Sequence, residues 1–171
     1  MTTVIETLPQ LLAHANALER EAVERYEELA GQMEVHNNPE LAELFYQMAA
    51  IEQKHVEQVQ LMTADVRLPP LAPWEYAWQD PEGPESVPIG FGHYRLTPHQ
   101  ALQQILACEE RACAFFEYVV RTSQDTAVQA LAWQFAEEER HHAELMRQWL
   151  TRYPQTTLEW EEDLDEPVSQ E

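Results

Sequence analysis

Four stretches of the chain place apolar side chains every three or four residues, the spacing that brings them onto one face of an α-helix. Polar and charged residues fill the positions between them, so each stretch predicts a helix with one buried face. The apolar positions, in chain order, are Ala15, Leu18, Ala22, Tyr26, Leu29 and Met33; Leu41, Leu44, Phe45, Met48, Val56, Val59 and Met62; Leu102, Ile105, Ala112, Phe116 and Val120; and Val128, Leu131, Phe135, Leu145 and Trp149.

Each predicted helix begins at a capping signal. Thr7, Asn38 and Thr97 each precede a proline by one or two residues, and proline fits the first turn of a helix. Ser123 or Asp125 opens the fourth helix. The predicted helices cover about residues 7–35, 39–63, 98–121 and 126–153.

The segment between the second and third helices, residues 64–97, has a different composition. Seven of the chain's 11 prolines fall within residues 68–98, a density that no regular helix tolerates. Disordered linkers are poor in aromatic residues, whereas this segment contains Trp74, Tyr76, Trp78, Phe91 and Tyr94. We therefore expect an ordered strap that packs on the helices. The acidic tail, residues 155–171, is expected to be irregular, with Trp160 as a candidate anchor.

These elements predict a single all-α domain over residues 1–171. Short joints make each helix pair an antiparallel hairpin. If the second and third helices run parallel, the strap must travel the length of a helix, which is about 37 Å for ~25 residues. Thirty extended residues span that distance easily. The predicted fold is a four-helix bundle with one long, proline-rich crossover.

Four glutamates and two histidines interrupt the apolar stripes and are predicted to face the interior. They are Glu19, Glu52, His55, Glu109, Glu138 and His141. Burying an ionised carboxylate costs several kcal/mol even after relaxation, so two divalent cations are expected to neutralise the four carboxylates, with the imidazoles as nitrogen ligands. Oxygen-rich sites with a few imidazoles suit iron or manganese, and zinc can replace them.

An internal repeat supports this metal site. Glu19 is followed after three residues by alanine and after seven by Tyr26, and Glu109 is followed in the same way by alanine and Phe116. A Glu-x-x-His pair comes next in each half, and that spacing places both side chains on one helix face. One such pair is expected by chance, whereas two in matching positions of a repeat are a strong signal.

Three alternatives stay open from the residues alone. Glu139 with His142 could replace Glu138 with His141, although the repeat favours the earlier pair. Glu110 could replace Glu109 if the third helix is rotated. Tyr26 either donates a hydrogen bond to a ligand carboxylate or is an ordinary core aromatic residue.

Charge and composition narrow the function classes. The 171 residues carry a formal net charge of −21, and phosphate binding requires a basic face, which argues against nucleic acid as a partner. The N-terminal residues lack the pattern of a signal peptide, and no apolar run is long enough for a membrane helix. The two cysteines, Cys108 and Cys113, are five residues apart on one predicted helix and are expected to be free thiols. A cytoplasmic protein is therefore predicted.

The helices resemble those of the rubrerythrin branch of the ferritin-like superfamily. The matching stretches are "EREAVERY" (19–26), "EQKH" (52–55), "EERACAFF" (109–116) and "EERH" (138–141). The resemblance implies a ferritin-like bundle with two iron ions, in which Glu19 and Glu109 are terminal ligands, Glu52 and Glu138 bridge, and His55 and His141 each bind one ion.

The resemblance also implies a function. Members of this branch reduce hydrogen peroxide at a di-iron centre, and more distant relatives oxidise ferrous iron. This sequence lacks the four cysteines of a rubredoxin domain, so a separate electron-donor protein is expected, and a homodimer is plausible by analogy. The leading hypothesis is an oxidoreductase acting on peroxide or dioxygen. Its rivals are a ferroxidase or iron-storage protein and a non-catalytic helical bundle.

Overall fold

A computed structural model describes residues 4–71 and 96–155 of the chain. These residues form four α-helices, and the predicted all-α four-helix bundle is confirmed. The expected packing of the strap and the expected anchoring by Trp160 lie outside the described residues. The helices are α1 (Leu8–Val35), α2 (Pro39–Met62), α3 (Pro98–Thr122) and α4 (Thr126–Arg152).

Side-chain caps fix where each helix begins, because a capping oxygen satisfies backbone amides that have no partner within the helix. Thr7 accepts from the amide of Gln10, and Asn38 accepts from that of Leu41. Thr97 forms a reciprocal capping box with Gln100. At α4, the open choice of cap resolves to Asp125, which accepts from two amides of the first turn.

The helices pair as two antiparallel hairpins, α1 with α2 and α3 with α4. In the first hairpin, Asn37 adopts a positive φ of 53° in the turn, a conformation that asparagine tolerates better than most residues. In α4, the Arg152 side chain contacts Glu40 at the start of α2, and Tyr153 bonds to His99 at the start of α3. Because α2 and α3 thus begin at the same end of the bundle, they run parallel, as the long crossover requires.

Two apolar clusters fill the bundle, one towards each end. The first contains Leu18, Phe116 and Phe135, and the second contains Phe45 and Met146, each among other buried residues. Every helix contributes to both clusters. None of the helices in the described part of the chain combines the length and the apolar character needed to cross a membrane.

Candidate metal centre

Each helix places a buried glutamate between its contributions to the two apolar clusters. These four residues are Glu19 on α1, Glu52 on α2, Glu109 on α3 and Glu139 on α4, and none is more than 3% exposed. On α1, for example, Glu19 lies between Leu18 of one cluster and Tyr26 of the other. The carboxylates therefore meet in the middle of the bundle, walled off from water at both ends.

Two imidazoles complete this cluster, and they stack on each other with ring centroids 5.5 Å apart and planes 10° apart. Nδ1 of His55 lies 3.1 Å from Oε2 of Glu52 and 3.5 Å from Oε2 of Glu19. Nδ1 of His142 lies 3.0 Å from Oε1 of Glu52 and 3.6 Å from an oxygen of both Glu109 and Glu139. Glu52 thus has one oxygen against each imidazole.

Three of the inward-facing atoms form no well-aligned hydrogen bond among the described residues. Oε1 of Glu19 is buried without a hydrogen-bond partner, and Oε1 of Glu52 and Nδ1 of His142, although 3.0 Å apart, are not oriented to form a hydrogen bond with each other. Buried polar atoms in native proteins are nearly always satisfied, so convergent unsatisfied donors fit an ion that belongs between them. Within residues 4–71 and 96–155, two sets of ligand atoms lie close enough to hold a metal ion: Glu52, His55 and His142, and Glu109, Glu139 and His142.

The predicted inward placement of Glu138 and His141 is wrong. Glu138 is only half-buried and His141 is exposed, while Glu139 and His142, the alternative pair, are buried in the cluster. Two signals favoured the wrong pair: the internal repeat, which matched Glu138 and His141 to Glu52 and His55, and an apolar stripe of α4 that runs through Leu131 and Leu145. Both are only partly buried.

The inward face of α4 is instead formed largely by alanines. The residues that it buries are Val128, Ala132, Phe135, Ala136, Glu139, His142, Ala143 and Met146. Alanine contributes little to a hydrophobic pattern, so the larger leucines at the edge of the face shifted the predicted centre by one residue. Counting alanine as a core residue would have favoured the correct pair.

The other four predicted ligands do lie in the cluster. Glu19, Glu52 and Glu109 are each 1% exposed, and His55 faces two of them. Glu110, the alternative to Glu109, is exposed and pairs with Arg147 on the surface.

Comparisons with known proteins identify the family to which this fold belongs. The family described as Rubrerythrin matches residues 10–81. A crystal structure of an uncharacterized conserved protein from Magnetospirillum magnetotacticum is 36% identical, with a TM-score of 0.76, and the match covers 89% of this chain and 99% of that one. The chain belongs to the rubrerythrin-like branch of the ferritin-like superfamily. No match was found among curated proteins.

The rubrerythrin-like cluster has a polar support that sequence patterns only partly indicated. The hydroxyl of Tyr26 donates to Oε1 of Glu109 at 2.5 Å, so this residue is more than a core aromatic ring. Arg25, which the apolar pattern did not single out, is buried beside it, with Nη2 3.7 Å from the same carboxylate oxygen. Buried arginine is rare without a charged partner. In the sequence, the available indication of its role was its position directly before Tyr26 in the stretch "EREAVERY".

Without metal, the environment of this rubrerythrin-like site favours the protonated form of four of the six candidate ligands. Burial, partly offset by His55, raises the pKa of Glu19 to about 8. Burial likewise raises the pKa of Glu139 well above its usual value. For His55, burial acts to lower the pKa, but the carboxylates of Glu19 and Glu52 outweigh it and raise the pKa to about 10.

The pKa values of His142 and Glu52 also depend on burial and on the neighbouring charges, which act in opposite directions. Burial opposes the charged form of His142, yet its carboxylate neighbours, Glu109 first among them, raise its pKa. Burial would raise the pKa of Glu52, but contacts with His142 and His55 outweigh it, so the pKa falls below its usual range. Protons on the imidazoles occupy the places that cations would take, because both favour the same carboxylate oxygens.

Proposed function

We propose that this chain binds two metal ions, natively iron, and is an oxidoreductase that reduces hydrogen peroxide with electrons from a separate donor protein. The observation that carries the proposal is the buried group of four carboxylates and two imidazoles with unsatisfied inward-facing atoms. Four carboxylates match the charge of two divalent ions, which makes their burial tolerable. Iron is favoured because the ligand set is rich in oxygen, with one imidazole for each ion, and because of the family.

The contacts suggest which residues would hold each ion. Glu19 and His55 lie together on one side, and Glu109 and His142 lie together on the other. Glu52 contacts both imidazoles through different oxygens and would be a ligand shared by the two ions. Glu139 is the buried glutamate of α4, on the side of Glu109 and His142, and would be the second carboxylate shared by the two ions.

Ferrous ions at this position would supply the electrons for reducing peroxide to water, a reaction that also consumes two protons. The chain's own contribution is to hold the ligands and to keep bulk water out, which the apolar clusters on both sides achieve. The two cysteines of this sequence both lie on α3 and cannot form a four-cysteine iron site, so the electrons would have to come from outside residues 1–171, and we propose a donor protein.

Metal analysis and oxidation kinetics test this proposal together. Protein loaded anaerobically with ferrous iron is expected to hold about two ions per chain. In stopped-flow mixing, hydrogen peroxide is expected to oxidise this iron much faster than dioxygen does. Faster oxidation by dioxygen would instead support a ferroxidase. If the protein bound no iron, the proposed metal function would be wrong and a non-catalytic helical bundle would be favoured.

Glu52 provides a sharp control for the loading experiment. Glu52→Ala removes the carboxylate that lies against both imidazoles and is expected to lose both ions. Glu57→Ala removes a carboxylate from the exposed side of the same helix and is expected to keep them. If Glu52→Ala retained full occupancy, the assignment of the bridging ligand would be wrong.

The apparent affinity for metal ions is expected to increase as pH rises. At neutral pH the raised pKa values leave protons on Glu19, Glu139, His55 and His142, so loading expels up to four protons. Lower proton activity therefore favours the bound state, and the apparent affinity for zinc should increase from pH 6 to pH 8. Calorimetry in buffers of different ionisation enthalpy measures the protons released. An affinity independent of pH would contradict the prediction.

A further inference from the structure

The two halves of the site are related by the sequence repeat, but the support of their terminal carboxylates is not repeated. Oε1 of Glu109 accepts a hydrogen bond from Tyr26 at 2.5 Å and lies 3.7 Å from the guanidinium of Arg25. The corresponding oxygen of Glu19 is buried and has no hydrogen-bond partner among the described residues. Each carboxylate has one oxygen near an imidazole, but only Glu109 has its second oxygen held by a residue that is not a candidate metal ligand.

The difference originates in two positions of the repeat. Arg25 and Tyr26 come six and seven residues after Glu19, whereas Phe115 and Phe116 come six and seven residues after Glu109. The two phenylalanine rings pack against other rings: Phe115 stacks on that of His14, with centroids 5.9 Å apart, and Phe116 lies 5.1 Å from that of Phe135. Phenylalanine has no polar side-chain atom, so these two positions of α3 give Glu19 no counterpart to the contacts that Arg25 and Tyr26 of α1 make with Glu109.

This asymmetry affects metal binding through preorganisation. A ligand that is already fixed loses little conformational freedom when the ion arrives, whereas a ligand without support must be ordered at the expense of binding free energy. Residues that orient a metal ligand typically change metal affinity by 10- to 100-fold. Oε2 of Glu109, turned towards His142 at 3.6 Å, is the oxygen left for metal once Tyr26 has engaged Oε1.

We propose that the two metal positions are unequal: the position formed by Glu109, Glu139 and His142 fills first, and the position beside Glu19 and His55 binds more weakly. Tyr26 and Arg25 act as positioning residues that create the difference. The inference rests on the proposed dinuclear site and adds to it the order of filling and its cause.

Zinc titration tests the order, because zinc has no redox chemistry to complicate binding. Calorimetry on the metal-free protein is expected to give two stepwise constants that differ by roughly tenfold or more. A crystal grown with one equivalent of zinc is expected to show its anomalous peak among Glu109, Glu139 and His142. A first peak beside Glu19 would overturn the proposal.

Two reciprocal substitutions test the cause. Tyr26→Phe removes the hydroxyl that holds Glu109 and is expected to weaken the tighter constant by about tenfold, since hydrogen bonds to charged groups typically contribute that much. Phe116→Tyr places a hydroxyl at the equivalent position for Glu19 and is expected to strengthen the weaker constant. Both changes bring the two constants closer together. Tyr46→Phe, which alters an exposed tyrosine that bonds to Glu34, should change neither constant.

The outcomes separate this proposal from the one on which it rests. Two equal zinc constants, or unequal constants that Tyr26→Phe leaves unchanged, would overturn the ordering while the dinuclear site stands. Absence of zinc binding in the unaltered protein would overturn both. If Phe116→Tyr fails to fold, as circular dichroism would show, the result for Tyr26→Phe decides alone, because that change removes a single oxygen atom.

Discussion

Alanine at position 139 or 142 is expected to abolish tight metal binding, whereas alanine at position 138 or 141 should leave it intact. Glu139 and His142 are buried against the other carboxylates, and their neighbours in sequence are half-buried or exposed. Substitutions in the outer shell of metal sites already cost roughly 10- to 100-fold in affinity. Removing a ligand itself should therefore cost more than about 100-fold.

The four single variants form matched pairs, because each inward residue has a chemically identical neighbour. Zinc calorimetry on Glu139→Ala and Glu138→Ala, and on His142→Ala and His141→Ala, gives the comparison directly. Thermal unfolding of the metal-free forms checks that each variant folds. Equal losses within a pair, or a larger loss at Glu138 or His141, would show that α4 presents the other face to the site.

Phe116→Ala is expected to lower the free energy of unfolding by about 3–5 kcal/mol, the usual cost of truncating a buried phenylalanine. Phe116 is fully buried and lies within 5.2 Å, between ring centroids, of both Phe115 and Phe135. Well-packed helices around this ring cannot close the cavity without moving, so most of the lost packing stays lost.

Trp133→Ala is the control for this measurement. Its side chain is also aromatic and larger, but it is 51% exposed, and the guanidinium carbon of Arg140 lies 5.6 Å from its ring centroid. Its loss should cost no more than about 1 kcal/mol. Urea unfolding of the metal-free proteins compares the two variants. Similar losses would mean that Phe116 is not part of a tightly packed core.

Local signals in the sequence were sufficient to predict where the helices begin. Thr7, Asn38 and Thr97 cap the helices as their positions before proline predicted, and the caps act within three residues of chain. The sequence also located Glu19, Glu52 and Glu109, three of the four glutamates buried in the described cluster. Each of them interrupts the apolar stripe of its helix, and the internal repeat relates Glu19 to Glu109.

The rotation of α4 could not be determined in the same way. Two Glu-x-x-His pairs overlap there, offset by one residue, and a shift of one residue turns a helix face by about 100°. Which pair faces inward depends on how closely α4 approaches α3, and the small buried residues Ala132, Ala136 and Ala143 permit that approach. Their weak hydrophobicity makes this contact nearly invisible in the sequence pattern.

The sequence by itself determined the elements, the four-helix architecture and the presence of a buried acidic cluster, because these follow from interactions between residues close in the chain and from a repeat that can be counted. Only the tertiary structure decided that Glu139 and His142 join the cluster and that Arg25 and Tyr26 support Glu109 but not Glu19. These features depend on side chains separated by tens of residues, whose meeting is set by the packing of whole helices against one another.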